Sequence, residues 1–252
     1  MGSTLSLRSR NTATGDAQSE FDAATSETIT RYTAVVLDED FSGPGHVFPA
    51  AGAPSVGYPW VKKTVQTGGT PTVAVIANSG GGIARLALDN TSEKQEATLY
   101  ANDSLNWDMT KSAIFEARIA NHVIPSAAAV EMVFGLQSVW IDGPDNASFY
   151  AQFQQLASGV VNLRTKDGVN TLSKASGVTL LVDAFHNFRI DATDPTNVRF
   201  FIDGAEVSAA NLSFAATGAS AILQPYFSVY KASGVGVGSL DVDMVQVGMN
   251  RS

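Results

Sequence analysis

The stretch that decides the fold reads Phe185-His-Asn-Phe-Arg-Ile-Asp191 and continues, after a short polar link, as Asn197-Val-Arg-Phe-Phe-Ile-Asp-Gly204. In the first segment the apolar residues Phe188 and Ile190 alternate with polar residues, as in a strand that buries one face. In the second segment an Asp-Gly pair ends an apolar run, and this pair supplies the positive φ angles of a tight turn. The stretch therefore predicts antiparallel strands and a hairpin turn.

The rest of the chain after residue 33 repeats this pattern of short strands and turns. Runs of β-branched and aromatic residues are separated by Gly, Pro, Asn and Asp, and no segment has a sustained helical period. Many short strands without intervening helices are typical of an antiparallel sandwich or barrel. The predicted strands are Ala34–Phe41, Val73–Ala77, Ile83–Leu88, Glu96–Ala101, Ala113–Ala120, Ala129–Gln137, Ser148–Gln154, Val160–Thr165, Phe185–Asp191, Val198–Ile202, Gln224–Lys231 and Ser239–Val247.

The composition excludes several classes of function. The chain of 252 residues has no Cys, which rules out a disulfide scaffold, a thiolate zinc site and a cysteine nucleophile. Its 16 Lys and Arg against 24 Asp and Glu give a net charge of −8, so we expect no nucleic-acid partner. Only 16% of the residues are charged, and so charge-poor a surface is more typical of an assembly component than of a freely diffusing enzyme.

Neither a secretory signal nor a membrane span is expected from the sequence. The first ten residues, Met1–Arg10, contain no apolar stretch of the length that a secretory signal requires. No apolar run in the chain reaches the roughly 18 residues of a transmembrane helix. We therefore expect a protein that is made in a cytoplasm, or leaves the cell by a route other than a cleaved signal, and that has no membrane partner.

Residues 1–33 form a separate zone that is rich in Ser, Thr, Ala and acidic residues. Such a stretch buries too little apolar surface to fold alone, so we predict an extended N-terminal arm that lies against its own domain or a neighbouring subunit, with anchoring to the capsid or to that subunit as its role. Within the arm, Ser19–Glu27 is predicted to form one short helix, and residues 34–252 are predicted to form the β domain. The residues predicted to bind the partner are Leu5, Leu7, Arg8, Arg10 and Phe21.

Three segments resemble those of a known fold family. Ile114-Phe-Glu-Ala-Arg-Ile119 resembles a strand of concanavalin A-like sandwiches, notably the laminarinase and lichenase type of β-glucanase and laminin-G-like domains. The stretch Phe185–Gly204 is similar to a hairpin of that family, and Leu240–Val247 resembles its closing strand. Asp40-Phe-Ser-Gly43 matches the usual opening strand. The resemblance implies an all-β fold, an antiparallel concanavalin A-like jelly-roll sandwich that follows the extended arm.

The catalytic residues of the β-glucanases do not carry over to this chain. In that family the acids follow a Glu-x-Asp-x-x-Glu pattern on one strand, which directs two carboxyl groups at the scissile bond. The equivalent strand is Val130–Gln137, Val-Glu-Met-Val-Phe-Gly-Leu-Gln, in which Glu131 is the one acid. We interpret Glu131 as a solvent-facing strand residue. We expect a protein that is not an enzyme, and a diverged β-glucanase is the least favoured alternative.

Carbohydrate binding without catalysis is a further alternative, because it needs only exposed aromatic rings beside polar groups. Trp140, in the loop Ser138–Asn146, is the best candidate, and Tyr150 lies near it in the sequence. Trp60 and Trp107 are further options. Each of these aromatic residues is more simply interpreted as a core or rim residue.

Lectin-like sandwiches often carry calcium, so the resemblance also raises the question of a metal site with oxygen ligands. Asp142, Asp145 and Asn146 form one candidate set. A second set, available if the first and last strands pair, is Asp38, Asp40, Asp241 and Asp243. Turn chemistry and the acidic residues common at strand edges explain both sets equally well, so we predict no cofactor.

The features together lead to an interpretation of the chain as a virion structural protein. A concanavalin-like sandwich with an arm, no Cys and a surface rich in Ser, Thr, Ala and Gly resembles the decoration and minor capsid proteins of tailed bacteriophages. That resemblance implies a protein made in the host cytoplasm and bound at the capsid surface to the major capsid protein. Lattice symmetry implies a homo-oligomer, a dimer or trimer. A lectin-like module that attaches to host-surface glycans is the alternative.

Overall fold

The computed structural model describes most of the chain after residue 33. The described residues are 21–22, 27–28, 34–42, 47–52, 59–77, 79, 81–157, 159–208 and 212–250. Four of the residues predicted to bind a partner, Leu5, Leu7, Arg8 and Arg10, lie outside these ranges, and of Phe21 only the backbone is described.

Strands dominate the described chain, which confirms the all-β prediction. Short 3-10 helices cover Met109–Lys111, Pro144–Asn146 and Gly218–Ala221, and none of the helices in the described residues is long and apolar enough to cross a membrane. The strands in chain order are β1 Phe21–Asp22, β2 Glu27–Thr28, β3 Ala34–Glu39, β4 Val61–Gln66, β5 Thr72–Val75, β6 Ala84–Ala87, β7 Gln95–Tyr100, β8 Trp107–Asp108, β9 Ala113–Val123, β10 Val130–Gln137, β11 Phe149–Gln155, β12 Val160–Asp167, β13 Thr171–Thr179, β14 His186–Ala192, β15 Arg199–Ile202, β16 Ala205–Glu206, β17 Ile222–Lys231 and β18 Ser239–Asn250.

Two antiparallel sheets of eight strands each make up the sandwich. The front sheet has the order β13-β12-β11-β10-β17-β7-β4, and β8 pairs with β17. The back sheet has the order β16-β15-β14-β9-β18-β6-β5, and β3 pairs with β18. Strands that are distant in sequence are neighbours in both sheets: β17 pairs with β7 in the front sheet, and β18 pairs with β3 in the back sheet. Each sheet therefore needs strands from both the early and the late part of the domain.

The core lies between the two sheets and contains aromatic rings from both. The ring centroid of Phe153, in the front sheet, lies 5.3 Å from that of Phe134 in the adjacent strand. It also lies 5.0 Å from the ring centroid of Phe188 and 5.1 Å from that of Phe200. Both of these rings belong to the back sheet and contact Phe153 edge to face. Such contacts add to the hydrophobic gain of burying the rings. Phe153 therefore joins the two layers.

The stretch Phe185–Gly204 folds as predicted. β14 pairs antiparallel with β15 and places Phe188 opposite Ile202, and both side chains belong to the core. Asp203 and Gly204 form the turn between β15 and β16 with φ angles of 51° and 80°. Two positive φ angles in succession are those of a type I′ turn, for which Asp-Gly is a preferred pair.

All twelve strands predicted after residue 33 are present, but the sequence analysis misses two long ones, β4 and β13. They read Val61-Lys-Lys-Thr-Val-Gln66 and Thr171-Leu-Ser-Lys-Ala-Ser-Gly-Val-Thr179. Both form edges of the front sheet. Edge strands carry Lys, Ser and Thr, which discourage pairing with other chains, and these residues interrupt the apolar alternation that marks a strand.

The predicted helix at Ser19–Glu27 is wrong in the residues that the structure describes. Phe21–Asp22 and Glu27–Thr28 are the strands β1 and β2, which pair antiparallel with Phe21 opposite Thr28. Phe and Thr both favour extended backbone. In addition, so short a helix forms too few hydrogen bonds to offset the cost of its first turn.

Candidate functional site

The outer face of the front sheet, which is turned away from the core, is the candidate site. In β10 every second residue from Val130 to Leu136 belongs to the core, so Glu131 and the residues that alternate with the core set face outward. The neighbouring strands place polar and tyrosine side chains on the same face, and these are buried instead of exposed. The buried side chains are Glu96, Thr98, Tyr100, Glu131, Gln137, Tyr150, Gln152, Gln154, Arg164, Gln224, Tyr226 and Ser228.

A loop covers this face. Residues 138–148, called the strap from here on, connect β10 to β11 and fold back over the front sheet. From the strap, the backbone N–H of Trp140 donates a 2.7 Å hydrogen bond to Asp103 Oδ1, and its ring packs on an apolar patch of the sheet. Lys63 Nζ lies 3.3 Å from the centroid of that ring, which is a cation–π contact. The residues of the patch are Val61, Tyr100, Val133 and Tyr226.

Glu96, on β7, attaches the strap to the sheet. Within the sheet its Oε1 accepts hydrogen bonds from Thr98 Oγ1 at 2.8 Å and from the Tyr226 hydroxyl at 3.1 Å. From the strap the same oxygen accepts the indole N–H of Trp140 at 3.1 Å, and Oε2 accepts the backbone N–H of Gly143 at 3.4 Å. Burial is the largest influence on the Glu96 carboxyl and raises its pKa, while these donors act in the opposite direction.

Glu131 lies buried beside the strap, and its interpretation as a solvent-facing residue is wrong. Its side chain accepts a 2.7 Å hydrogen bond at Oε2 from Gln154 Nε2, and the same nitrogen lies 3.4 Å from Oδ1 of Asp145 in the strap. The residue is only 9% exposed. Burial, and after it the negative charge of Asp145, raises the pKa of Glu131 to about 7. A carboxyl group that changes its charge near neutral pH therefore lies at the edge of the strap.

The first set of predicted calcium ligands lies in the strap and is engaged by protein groups. Asp142 forms a 2.5 Å ion pair with Lys94, and Asp145 forms an ion pair with Arg164. Asn146 donates from its side-chain amide to the backbone oxygen of Asp142 at 2.7 Å. Across the described parts of the chain, no group of three or more His, Asp or Glu side chains is placed to hold a metal ion.

The second set of predicted calcium ligands is divided along the back sheet. Asp241 accepts two hydrogen bonds from Arg85, at 2.6 and 2.7 Å, and Asp243 pairs with another arginine. The strands β3 and β18 do pair, as that prediction required, but their register places Asp38 opposite Gln246, several residues further along β18. The pairing therefore does not gather the four aspartates into one site.

Two amide side chains under the strap have no hydrogen-bond partner among the described residues. Gln137 is 0% exposed and Gln152 is 1% exposed, and neither the nitrogen nor the oxygen of either side chain is bonded. The register places Gln152 opposite Gly135, two residues from Gln137, so the two amides are diagonal neighbours. A buried polar group without a partner costs about 1–3 kcal/mol. This part of the face is suited to a group that both donates and accepts hydrogen bonds.

The aromatic candidates for carbohydrate binding differ in their surroundings. Trp140 is half-buried, with one side on the sheet and Lys63 over the ring. Tyr150 is fully buried, and its hydroxyl accepts a 2.8 Å hydrogen bond from Arg164. Trp60 and Trp107 belong to the core. The structure thus brings Trp140 and Tyr150 to the same face, but the closed strap leaves no open pair of rings there.

Four residues of this face were not predicted from the sequence: Glu96, Gln137, Gln152 and Arg164. Each lies in a strand where polar residues alternate with core residues, and such alternation is normally interpreted as a solvent-facing side. The feature that could have indicated their burial is their position in the inner strands β7, β10, β11 and β12 of the front sheet. That signal becomes visible only when the strand order is known.

A second depression lies on the outer face of the back sheet. It has a volume of about 290 Å³ and is lined in part by Asn187, Phe201 and Met244. Arg189, also in its lining, pairs with Asp191 at 2.8 Å, so the positive charge is matched within the same face. The covered face of the front sheet is the stronger candidate, because there two neighbouring buried amides, Gln137 and Gln152, have no hydrogen-bond partner among the described residues.

Comparisons with known proteins identify the fold. No protein-family model matches the chain, and no curated protein matches it. A solved structure of a protein of unknown function from Shewanella oneidensis MR-1 is similar over 87% of each chain, with 12% identity and a TM-score of 0.56. A β-glucanase from Bacillus licheniformis is similar over 84% of this chain and 97% of its own, with 12% identity and a TM-score of 0.51. An endo-1,3-β-glucanase from Streptomyces sioyaensis is similar over 84% of this chain and 94% of its own, with 17% identity and a TM-score of 0.52.

Identities this low show a shared fold and carry no residue roles. The similarity confirms the concanavalin A-like jelly-roll sandwich that the three segments of the sequence predict. The architecture is thus the glycosidase-like type of β-sandwich. The fold alone does not determine function, which depends on the residues of this chain's own candidate site.

Proposed function

We propose that the protein is a non-enzymatic structural module, and that it is displayed on the surface of a virion shell. The observation that carries the proposal is the closure of the front sheet by the strap. A glycoside hydrolase needs an open cleft in which two carboxyl groups flank the substrate. Here Glu131 faces Gln154 and the strap, and the next outward positions of β10 are Val133 and Gly135, which have no acid. The face is filled by the protein's own residues.

The proposed attachment runs through residues 1–33 to the major capsid protein. In the back sheet Ala34 pairs with Asn250, so both ends of the described sandwich lie side by side. A module held by the segment before Ala34 would project its other end away from the shell. The low charged fraction of 16% fits a surface that lies partly against other subunits, and shell symmetry would bring copies together as dimers or trimers. Arg8 and Arg10 are the proposed contacts to acidic capsid surface.

Deletion of residues 1–33 tests the attachment. The variant is expected to keep the circular dichroism spectrum of the folded sandwich but to stay in the supernatant when capsid particles of the same genome are sedimented. The full-length protein is expected to sediment with the particles. Equal sedimentation of both proteins, or sedimentation of neither, contradicts attachment through this segment.

Glycan binding is the second candidate function, and the unpartnered amides of Gln137 and Gln152 favour it. Side-chain amides match sugar hydroxyls, which both donate and accept hydrogen bonds. A glycan array at several pH values tests this candidate. Saturable binding that is lost in Gln152→Ala, but kept in the control Val169→Ala at an exposed turn, would favour a lectin-like module over a structural one.

A further inference from the structure

The strap is held to the front sheet mainly through carboxyl groups. Glu96 accepts hydrogen bonds from Trp140 and Gly143, and Asp103 accepts one from the Trp140 backbone. In the other direction, two aspartates of the strap pair with Lys94, which directly precedes β7, and with Arg164 on β12. Of the apolar residues of the strap, Val139 is 51% and Ile141 is 41% exposed, whereas Pro144 and Ala147 are buried. The closure therefore combines charged and polar contacts with the Trp140 ring and these two buried apolar residues.

The acids at the strap are crowded around Glu131. Asp145, in the strap, shares the Gln154 amide with it, and burial separates Glu131 from solvent. Glu96 from β7 adds a further negative group, while Arg164 from β12 provides the nearby positive charge. Other titratable groups near this site include the hydroxyls of Tyr150 and Tyr230, the ion pair of Lys94 with Asp142, and Lys166 on β12, whose Nζ donates to the backbone oxygen of Asp145 at 3.4 Å.

Arg164 is already shared between other groups. It forms an ion pair with Asp145 and donates to the Tyr150 hydroxyl at 2.8 Å. Ionisation of Glu131 therefore places a negative charge in a buried position beside the carboxylate of Asp145, which itself lies at the surface. Lost hydration and, after it, repulsion from Asp145 both disfavour the ionised form of Glu131, and both are relieved when the strap moves and water reaches the Glu131 carboxyl group.

We propose that the strap is a proton-controlled cover, closed over the front sheet while Glu131 is protonated and opened when Glu131 is ionised beside Asp145. The two unpartnered amides, Gln137 and Gln152, favour the open state as well, since each gains hydrogen bonds once water or a ligand reaches the face. This cover is a property of the sandwich itself and does not depend on attachment through residues 1–33.

The direction of the pH effect follows from proton linkage. With the strap closed the pKa of Glu131 is about 7, whereas exposure to water returns it toward the ordinary value of 4.5. Below pH 4.5 the carboxyl is protonated in both states, and above pH 7 it is ionised in both. Between these values the closed state loses its advantage as the pH rises. The population of the open state is expected to increase by up to about 300-fold over this window.

Hydrogen exchange of the backbone amides in residues 138–148 tests the cover. After correction for the intrinsic pH dependence, exchange in the wild-type strap is expected to become at least about 30-fold faster between pH 5 and pH 8. In Glu131→Gln, which cannot ionise, the corrected rate is expected to stay constant. The control Glu206→Gln, at an exposed position of β16 in the back sheet, is expected to behave as wild type.

The inner strands of the front sheet provide the internal reference for this experiment. Amides of β10 and β17 are expected to keep their protection while those of the strap lose it. Strap exchange in Glu131→Gln that accelerates as in the wild type would overturn the proposal. Equal acceleration in β10 and β17 would also overturn it, because the whole sheet, and not a cover, would then be opening. A thermal melt of each variant verifies that it is folded.

Discussion

Replacement of Phe153 by alanine is expected to lower the free energy of unfolding by about 4 kcal/mol. Phe153 is fully buried, and its ring centroid lies 5.0 to 5.3 Å from those of three other rings. Alanine removes contacts with both sheets and leaves a cavity that two rigid layers cannot fill by small movements. Denaturant unfolding followed by circular dichroism measures the loss.

Phe201→Ala is the matched control for the core substitution. Phe201 is half-buried on the outer face of the back sheet, where its ring lies near the guanidinium groups of Arg189 and Arg199. Its replacement is expected to cost about 1 kcal/mol, because solvent takes the place of the lost ring. Similar losses in the two variants would mean that the aromatic cluster between the sheets does not join them as described.

Glu131→Gln is expected to raise the free energy of unfolding above pH 7 by up to about 3 kcal/mol, the full value applying when the strap stays closed, and to leave it nearly unchanged below pH 4.5. In the wild type the folded-state pKa of about 7 exceeds the unfolded value of 4.5, so the folded protein holds a proton that the unfolded chain releases. The stability gained from that proton is complete below pH 4.5 and is lost as the pH rises through 7. Glutamine keeps the oxygen that accepts from Gln154 but carries no charge.

The measurement for this second prediction is the difference in unfolding free energy between variant and wild type, taken at several pH values. Using the difference removes the contribution of groups such as Asp191 and Asp203, whose lowered pKa values stabilise the fold as the pH rises. In Glu206→Gln the difference from wild type should not change with pH. A constant difference for Glu131→Gln as well would show that Glu131 is not buried as the structure places it.

The sequence was sufficient to predict the fold because the inner strands carry strong local signals. Phe188 and Ile190 alternate with polar residues, and Asp203-Gly204 fits one turn type, so period and turn chemistry agree at the same place. The edge strands β4 and β13 gave no such agreement, since their solvated Lys and Ser residues interrupt the apolar alternation.

The candidate site was not predictable in the same way. Residues of the strap, such as Asp142-Gly-Pro-Asp-Asn146, have the composition of an ordinary turn, and nothing local indicates that the loop lies over a sheet. Glu131 and Gln152 therefore had the pattern of solvent-facing strand residues. The strap contacts β7, which is distant in sequence, through Glu96, and it approaches Glu131 through Asp145 and Gln154. Long-range contacts of this kind leave no period in the sequence.

Thiol labelling of single-cysteine variants tests most directly whether the strap covers the front sheet, and the natural chain has no Cys to interfere. Gln152→Cys places the thiol on the covered face, and Val139→Cys places it on the exposed side of the strap. With a dipyridyl disulfide at about pH 5, where the strap is closed, the first thiol is expected to react at least about 100-fold more slowly than the second. In denaturant both should react equally fast. Equal rates in the folded protein would contradict a covered face.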